Sequence, residues 1–324
     1  MTEGTQTRKN IDPKKHTGVK VFAPASVANV ACGFDILGFA LERPGDEILV
    51  RYSDTPGLRI TKITGTKKKL PLDVLGNTAG VAALKVLEAL GETGLGIEME
   101  IHKKMPFGSG LGSSASSAVG GAMAINELLG RPYEKRDLLP FALEGEAVAS
   151  GGIHADNVAP SLLGGFTLVR DSLTCDIARV PVPRGMFATV VYPYVEVLTK
   201  EARAMLKTEV DLKLSTQQSA NMGAFIIGMM NSDFELIRRS LKDLIIEPQR
   251  APLIPHFYEI QKAALEEGVL GCSISGSGPS IFALSNNSLT AENAGKAMQA
   301  IFKQHKIECE LFISAINNDG AKLV

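Results

Sequence analysis

At 324 residues, with 45% hydrophobic and 21% charged positions, the chain has ordinary globular composition and room for two domains, and nothing in it suggests disorder, collagen or a membrane span. Thirty-four Lys and Arg stand against 35 Asp and Glu, a formal net charge of -1, which offers no basic field for a phosphate backbone and excludes nucleic acid as the expected partner. Cys32, Cys175, Cys272 and Cys309 form no CxxC pair; they read as reduced, buried thiols of a cytoplasmic protein.

Residues 1–17 are polar, carry Lys9, Lys14 and Lys15, and read as a disordered tail, neither signal peptide nor anchor. From Gly18 the strand-like runs VKVFA, EILVRY, LRITKI and GIEMEIH follow one another, broken by Gly, Pro and Asp. NTAGVAALKVLEALGE opens on Asn77, a good N-cap, and stops at Gly91, which predicts an amphipathic helix. Ser113 to Leu129 predicts a second helix, ended by Gly130 and Pro132, and FALEGEAVASGG a third, with Pro140 ahead of it and Gly151 behind. PVPRG, from Pro181 to Gly185, marks a linker, so the domains are expected at 18–183 and 184–324. Beyond it come a strand in MFATVVYPYVEV, helical runs from Ala224 to Leu241 and from Tyr258 to Glu267, two strands flanking SGSGPS, a helix from Ala291 to Gln304 and a last strand, CELFISAI. That order matches the split βαβ of a ferredoxin-like domain.

The densest chemical signal is PFGSGLGSSASSAVGG, Pro106 to Gly121, lying between a predicted strand and a predicted helix. A helix N-terminus presents unpaired N–H groups and the positive end of its dipole, and glycines let an anion approach the backbone, so phosphate is the natural ligand. A tight turn of small residues packed under a helix is the bland alternative. Gly112 is followed by Ser113, not Lys, so this is no Walker loop, and Gly108, Gly110 and Gly112 are spaced G-x-G-x-G, not as in a dinucleotide fingerprint. Without a loop lysine a triphosphate needs another counter-charge, and Mg²⁺ on a serine hydroxyl and a carboxylate would supply it, with Ser113, Ser114 and Glu146 as candidates.

The loop resembles the nucleotide loop of the GHMP kinases, and PASVANVACGFDILGFAL and SISGSGPSIFAL resemble two further motifs of that family in order and position. GGIHADNVAPSLLGGF, TKEARAML and EPQRAPLIP are most similar to the branch that phosphorylates homoserine, and the likeness runs from Gly18 to the C-terminus. It implies an α+β, two-domain GHMP kinase fold, with an N-terminal domain like domain 2 of ribosomal protein S5 and a ferredoxin-like C-terminal domain. It also implies ATP as co-substrate with Mg²⁺, L-homoserine as acceptor, O-phospho-L-homoserine as product on the route to threonine, and no membrane partner. A homodimer is compatible with it.

Residue by residue, the resemblance places Arg203 and Arg250 on the substrate carboxylate, Asp35 on its ammonium, and Asn29, His154, Thr199 and Gly276 around it. Pro106, Gly108, Ser109, Gly110, Leu111, Gly112, Ser113, Ser114 and Ser116 would line ATP, with Asn77 near adenine or simply capping its helix. Ser114 and Glu146 would hold Mg²⁺, and Lys103 would neutralise phosphate, with Lys104 competing. Asn157 stands where other branches carry an aspartate beside the attacking hydroxyl, which argues against a general base, although Asp156 sits next door. Alternatives are a sister kinase for mevalonate or shikimate, a catalytically silent nucleotide-binding relative and, weakened by the loop spacing, a dehydrogenase.

Overall fold

A computed structural model describes residues 18–67, 69–150 and 154–324; the expected tail, residues 1–17, lies outside them. The first half carries strands β1 (Val19–Ala28), β2 (Leu37–Tyr52), β3 (Leu58–Thr64), β4 (Ile97–His102), β5 (Phe166–Asp171) and β6 (Asp176–Val180). Between β3 and β5 come helices α1 (Thr78–Leu90), α2 (Ser113–Leu128), α3 (Leu139–Ser150) and α4 (Ala155–Leu163). The second half adds β7 (Phe187–Pro193), α5 (Thr199–Ala204), α6 (Leu212–Asn231), α7 (Phe234–Ser240), α8 (Glu247–Arg250), α9 (Phe257–Glu266), β8 (Gly271–Ile274), β9 (Ile281–Ser285), α10 (Ser288–Gln304), β10 (Cys309–Ala315) and β11 (Lys322–Leu323).

Two sheets result. The larger runs β11-β1-β2-β4-β3, with β5 also on β2 and β6 on β5; among the described residues β3 and β4 run parallel and its other pairs antiparallel. Its helix-bearing face buries Val21, Ile48, Val50, Met99 and Ile101 against Ala82, Val86, Val119, Ile125 and Val158 of α1, α2 and α4. The smaller sheet is antiparallel, in the order β10-β7-β9-β8, which is the ferredoxin-like order read from the sequence pattern. Five helices, not one, separate β7 from β8. One face of this sheet packs on α9 and α10 through Ile260, Ala264, Met298 and Phe302. The other meets the first sheet: Phe39 of β2 stacks on Phe166 of β5 at 4.7 Å and meets Phe282 of β9 edge-on at 5.9 Å. Burying large rings at this seam fixes how the two sheets face each other, because close-packed interiors do not slide. Strand β11 then ties the end of the chain back to β1.

Local signals explain the element ends. Asn77 caps α1 by accepting from the N–H groups of Ala79 and Gly80, and Gly91 closes the helix at φ 71, a left-handed turn that glycine adopts freely. The helical pattern from 224 to 241 divides at Ser232, whose φ of 55 breaks the run, and Asp233 caps the next helix on Leu236.

Candidate active site

The glycine loop bridges β4 and α2, and a second glycine loop joins β8 to β9; they close on one another. Ser275 Oγ donates to the Gly110 carbonyl at 2.7 Å, and the Ser280 N–H to the Ser109 carbonyl at 3.2 Å. No side chain fits between them: a Cβ on Gly110 would lie 2.5 Å from the Ser275 carbonyl oxygen. Gly112, at φ 63, starts α2. The helix therefore opens on a bare backbone, and the first-turn N–H groups of Ser113, Ser114 and Ala115 have no partner within it. Pro106, Gly108 and Leu111 complete the loop, with the Leu111 carbonyl accepting from the Ser26 N–H at 3.1 Å.

The turn after β1 supplies the third wall. Asn29, Val30 and Ala31 are successive left-handed residues, at φ 71, 43 and 54. Strain of this kind in non-glycine residues persists only where surroundings impose it, and it gathers at functional sites. Here Asn29 Nδ2 donates to the Gly276 carbonyl at 2.7 Å, and its Oδ1 accepts from the Asp35 N–H at 3.0 Å. Asn29 thus aims Asp35 and holds Gly276.

Asp35, Arg203 and Arg250 come together around Phe34. Both Arg203 Nη atoms donate to the Asp35 carboxylate at 2.7 Å, a forked, charge-assisted pair that holds the guanidinium above its ordinary pKa. Arg250 is 3% exposed; burial lowers its pKa, and it donates to the Ala202 and Gly276 carbonyls at 3.2 and 3.0 Å. Both guanidinium carbons stand over the Phe34 ring, at 5.3 Å for Arg203 and 5.1 Å for Arg250, within cation–π range. His154, half-buried at the N-cap position of α4, is held below its usual pKa by burial and by the charge of Arg203. Thr199 lies at the other rim, its hydroxyl 3.1 Å from that of Ser277 in the second glycine loop.

Between clamp and phosphate loop stands Asn157. Its Oδ1 accepts from Ser26 Oγ at 2.9 Å, and a Cβ on Gly112 would lie 2.7 Å from that same oxygen. With the oxygen committed, the side chain offers its amide donors. Beside it the buried carboxyls gather. Ser114 Oγ donates to Glu146 Oε1 at 2.9 Å; burial pushes the Glu146 pKa up to about 8, the Asp156 charge adding to the rise. Asp156 is pushed up to about 7, first by burial and then by Asp35.

Four candidate site residues have their polar groups engaged within the protein. Lys103 lies beneath the loop, 5% exposed, and its ammonium donates to Asp46, to the Ser113 carbonyl at 2.8 Å and to Ser117 Oγ at 2.8 Å. All three protons are used, so this geometry supports the first turn of α2 and gives no phosphate contact. Lys104 pairs with Glu47 on the surface. Ser116 is wholly buried; its hydroxyl donates to the Ala23 carbonyl at 2.7 Å and its N–H to the Gly112 carbonyl at 2.8 Å, which leaves nothing for ATP. Asn77 caps α1 with its oxygen and donates to the Pro71 carbonyl at 3.0 Å. Asn77→Ala is expected to cost about 1 kcal/mol of stability in urea unfolding and to change KM for ATP by less than about twofold. A raised KM at unchanged stability would make it a nucleotide contact instead.

Sequence reading missed Ser26, Phe34 and Asp46. Ser26 and Phe34 lay in plain view inside PASVANVACGFDILGFAL; Asp46 is joined to the site only by contacts across the fold, such as the one with Ser117, 71 positions away.

A glycine loop at a helix N-terminus, facing a paired acid and two arginines, suits a small-molecule kinase. Comparison with known proteins agrees: the model of the GHMP kinases N-terminal domain matches residues 77–165, and that of the GHMP kinases C-terminal domain matches residues 225–304. The chain belongs to the GHMP kinase family. It is 47% identical to the homoserine kinase of Chlorobium phaeobacteroides over 94% of this chain and 98% of that one. The crystal structure of homoserine kinase from Cytophaga hutchinsonii superposes with a TM-score of 0.93 at 51% identity, over 96% and 98% of the two chains. Within the family the chain groups with the homoserine kinases. Mevalonate kinase from L. major, at 15% identity and a TM-score of 0.69, shares the fold alone.

Proposed function

We propose that this phosphotransferase moves the γ-phosphoryl group of ATP to the side-chain hydroxyl of L-homoserine, giving O-phospho-L-homoserine and ADP. The observation that carries the substrate is the forked Asp35–Arg203 pair beside buried Arg250. A zwitterion brings one charge of each sign, so it can exchange into that pair, its ammonium taking Asp35 and its carboxylate Arg203 and Arg250. Each charge is then re-paired rather than stranded, which a substrate with a carboxylate alone does not achieve. Arg250, held by two backbone carbonyls, is a fixed half of the clamp; Arg203, about half-exposed, is the half free to turn.

The loop from Gly108 to Ser114 offers backbone N–H groups and a helix N-terminus to the phosphates. Ser114 and Glu146 provide a hydroxyl and a carboxylate, hard oxygen donors that suit Mg²⁺, and the high pKa of Glu146 is what a buried carboxyl shows without a cation to favour its ionised form. When bound there, Mg²⁺ would neutralise phosphate charge. Asn157 donates to the homoserine hydroxyl and orients it toward the phosphorus. Phosphoryl transfer depends chiefly on positioning and charge stabilisation, so an amide serves where an acid is absent, and the hydroxyl proton passes to the phosphoryl group being transferred.

Coupled ADP release with ATP and L-homoserine, D-homoserine, mevalonate, shikimate or no acceptor tests the proposal. Turnover is expected with L-homoserine selectively; selective turnover of another alcohol, or none, would reject it.

A further inference from the structure

Away from the kinase site, where α9 begins and α10 ends, three side chains with metal-ligating atoms converge. His256 stands at the N-cap position of α9, Glu259 in its first turn, and His305 just past the last turn of α10. Glu259 Oε2 lies 3.4 Å from His256 Nδ1 and 3.2 Å from His305 Nε2, and the ligating atoms of the three residues all fall within 4.8 Å of one another. We propose that His256, Glu259 and His305 form a second cation site, for a divalent ion of the zinc type, that clips α9 to α10.

Spacing supports this. A tetrahedral ion with ligands at about 2.0–2.1 Å holds neighbouring donor atoms about 3.3 Å apart, and both carboxylate-to-imidazole distances match that edge. Closing the remaining edge needs only rotation of side chains that are about one-third to two-fifths exposed, so an ion can enter from solvent. The two imidazoles stack face to face, centroids 3.4 Å apart and planes 10° from parallel, and because an imidazole lone pair lies in its ring plane, a ring must turn out of this stack for both nitrogens to meet one ion. His256 does not hydrogen-bond the helix it precedes and is kept at φ 59, so capping does not account for its side chain.

Two imidazoles and one carboxylate select a borderline ion such as Zn²⁺ or Co²⁺. Mg²⁺ prefers an all-oxygen shell, so the site is chemically distinct from one serving ATP. A water would complete the four-coordinate shell. The clip would also steady the second glycine loop at one remove: Ile254, two residues before His256, packs so near Gly278 that a Cβ there would lie 3.0 Å from its Cδ1.

Full-length, untagged protein stripped with EDTA and dialysed is titrated with Co²⁺ by visible absorption, followed by Zn²⁺ competition and by melting in ZnCl₂ or MgCl₂. One equivalent of Co²⁺ with tetrahedral d–d bands and no thiolate charge-transfer band, displaced by Zn²⁺, is expected, with a higher Tm in Zn²⁺ but not in Mg²⁺. Glu259→Gln and His305→Ala should each weaken binding at least about tenfold and abolish the Tm rise, while turnover with Mg-ATP stays at the wild-type rate. Absence of saturable binding, binding through thiols, or equal binding by wild type and both variants would overturn the proposal.

Discussion

Glu146→Gln is expected to reduce phosphoryl transfer at least about 1,000-fold and, at the same time, to raise Tm in alkaline buffer by several degrees. The kinetic half follows from charge: glutamine keeps the shape and the acceptor for Ser114 Oγ but cannot supply the negative oxygen a bound cation needs. The stability half follows from linkage. In the unfolded chain the Glu146 carboxyl ionises near its ordinary 4.5, whereas in the fold it keeps its proton to about 8. The folded state binds more protons between those values, so the stability tied to this group is complete below the lower value and is lost as pH climbs through the higher. The variant has no such loss, and its advantage over wild type should be absent near pH 4 and grow toward pH 9 when both are melted without Mg²⁺ or ATP. For the same reason wild-type kcat/KM at limiting Mg²⁺ should rise as pH climbs through about 8 and the carboxyl ionises. A variant that melts below wild type at pH 9, or that retains activity, would show that Glu146 is an ordinary structural acid.

Gly112→Ala is expected to be severely damaging for the addition of one methyl group. The residue sits at φ 63, a conformation that costs an alanine roughly 1–2 kcal/mol. Its new Cβ would lie 2.1 Å from Ser26 Oγ and 2.7 Å from Asn157 Oδ1, so either both side chains swing aside and lose their mutual hydrogen bond or the start of α2 shifts. Both responses displace Asn157, the residue proposed to orient the acceptor, so kcat should fall by about 100-fold or more and KM for ATP should rise, with a smaller loss in urea stability. Gly108→Ala is the control within the same loop: its φ is also positive, at 67, but nothing lies within 4 Å of a Cβ there. Equal effects at the two positions would mean that conformation, not the packing against Asn157, governs the loop.

The parts of the site that were legible in the sequence are those where chemistry constrains a run of neighbours. Glycines at 108, 110 and 112 can be read as backbone laid bare because every second residue lacks a side chain, and a strand before and a helix after locate the anion. Arg203, Arg250 and Asp35 gain meaning only from the motifs that enclose them, since a single arginine on a helix is ordinarily solvated. Lys103 misled because adjacency to the loop in sequence resembles adjacency in space. At the end of β4 it turns under α2 to meet Asp46, 57 positions earlier, and nothing in the segment RPGDEIL announces a buried acid. Ser116 misled for a helical reason: two residues beyond Ser114 is about 200° around the axis, so one serine faces Glu146 while the other is turned into β1. The ferredoxin-like order was legible from alternating elements, but the pairing of β11 with β1 was not, because two residues carry no periodicity.

Recognition of a zwitterion through Asp35 is the central claim, and the direct measurement of it compares L-homoserine with 4-hydroxybutanoate, the same acceptor without its amino group, in wild type and Asp35→Asn. Wild type is expected to prefer L-homoserine by at least about 100-fold in kcat/KM, and Asp35→Asn to lose most of that preference through L-homoserine alone, with the deaminated acceptor turned over no more slowly than before. If instead both acceptors fall by the same factor, Asp35 only holds Arg203 in place, and the assignment of the ammonium to it is wrong.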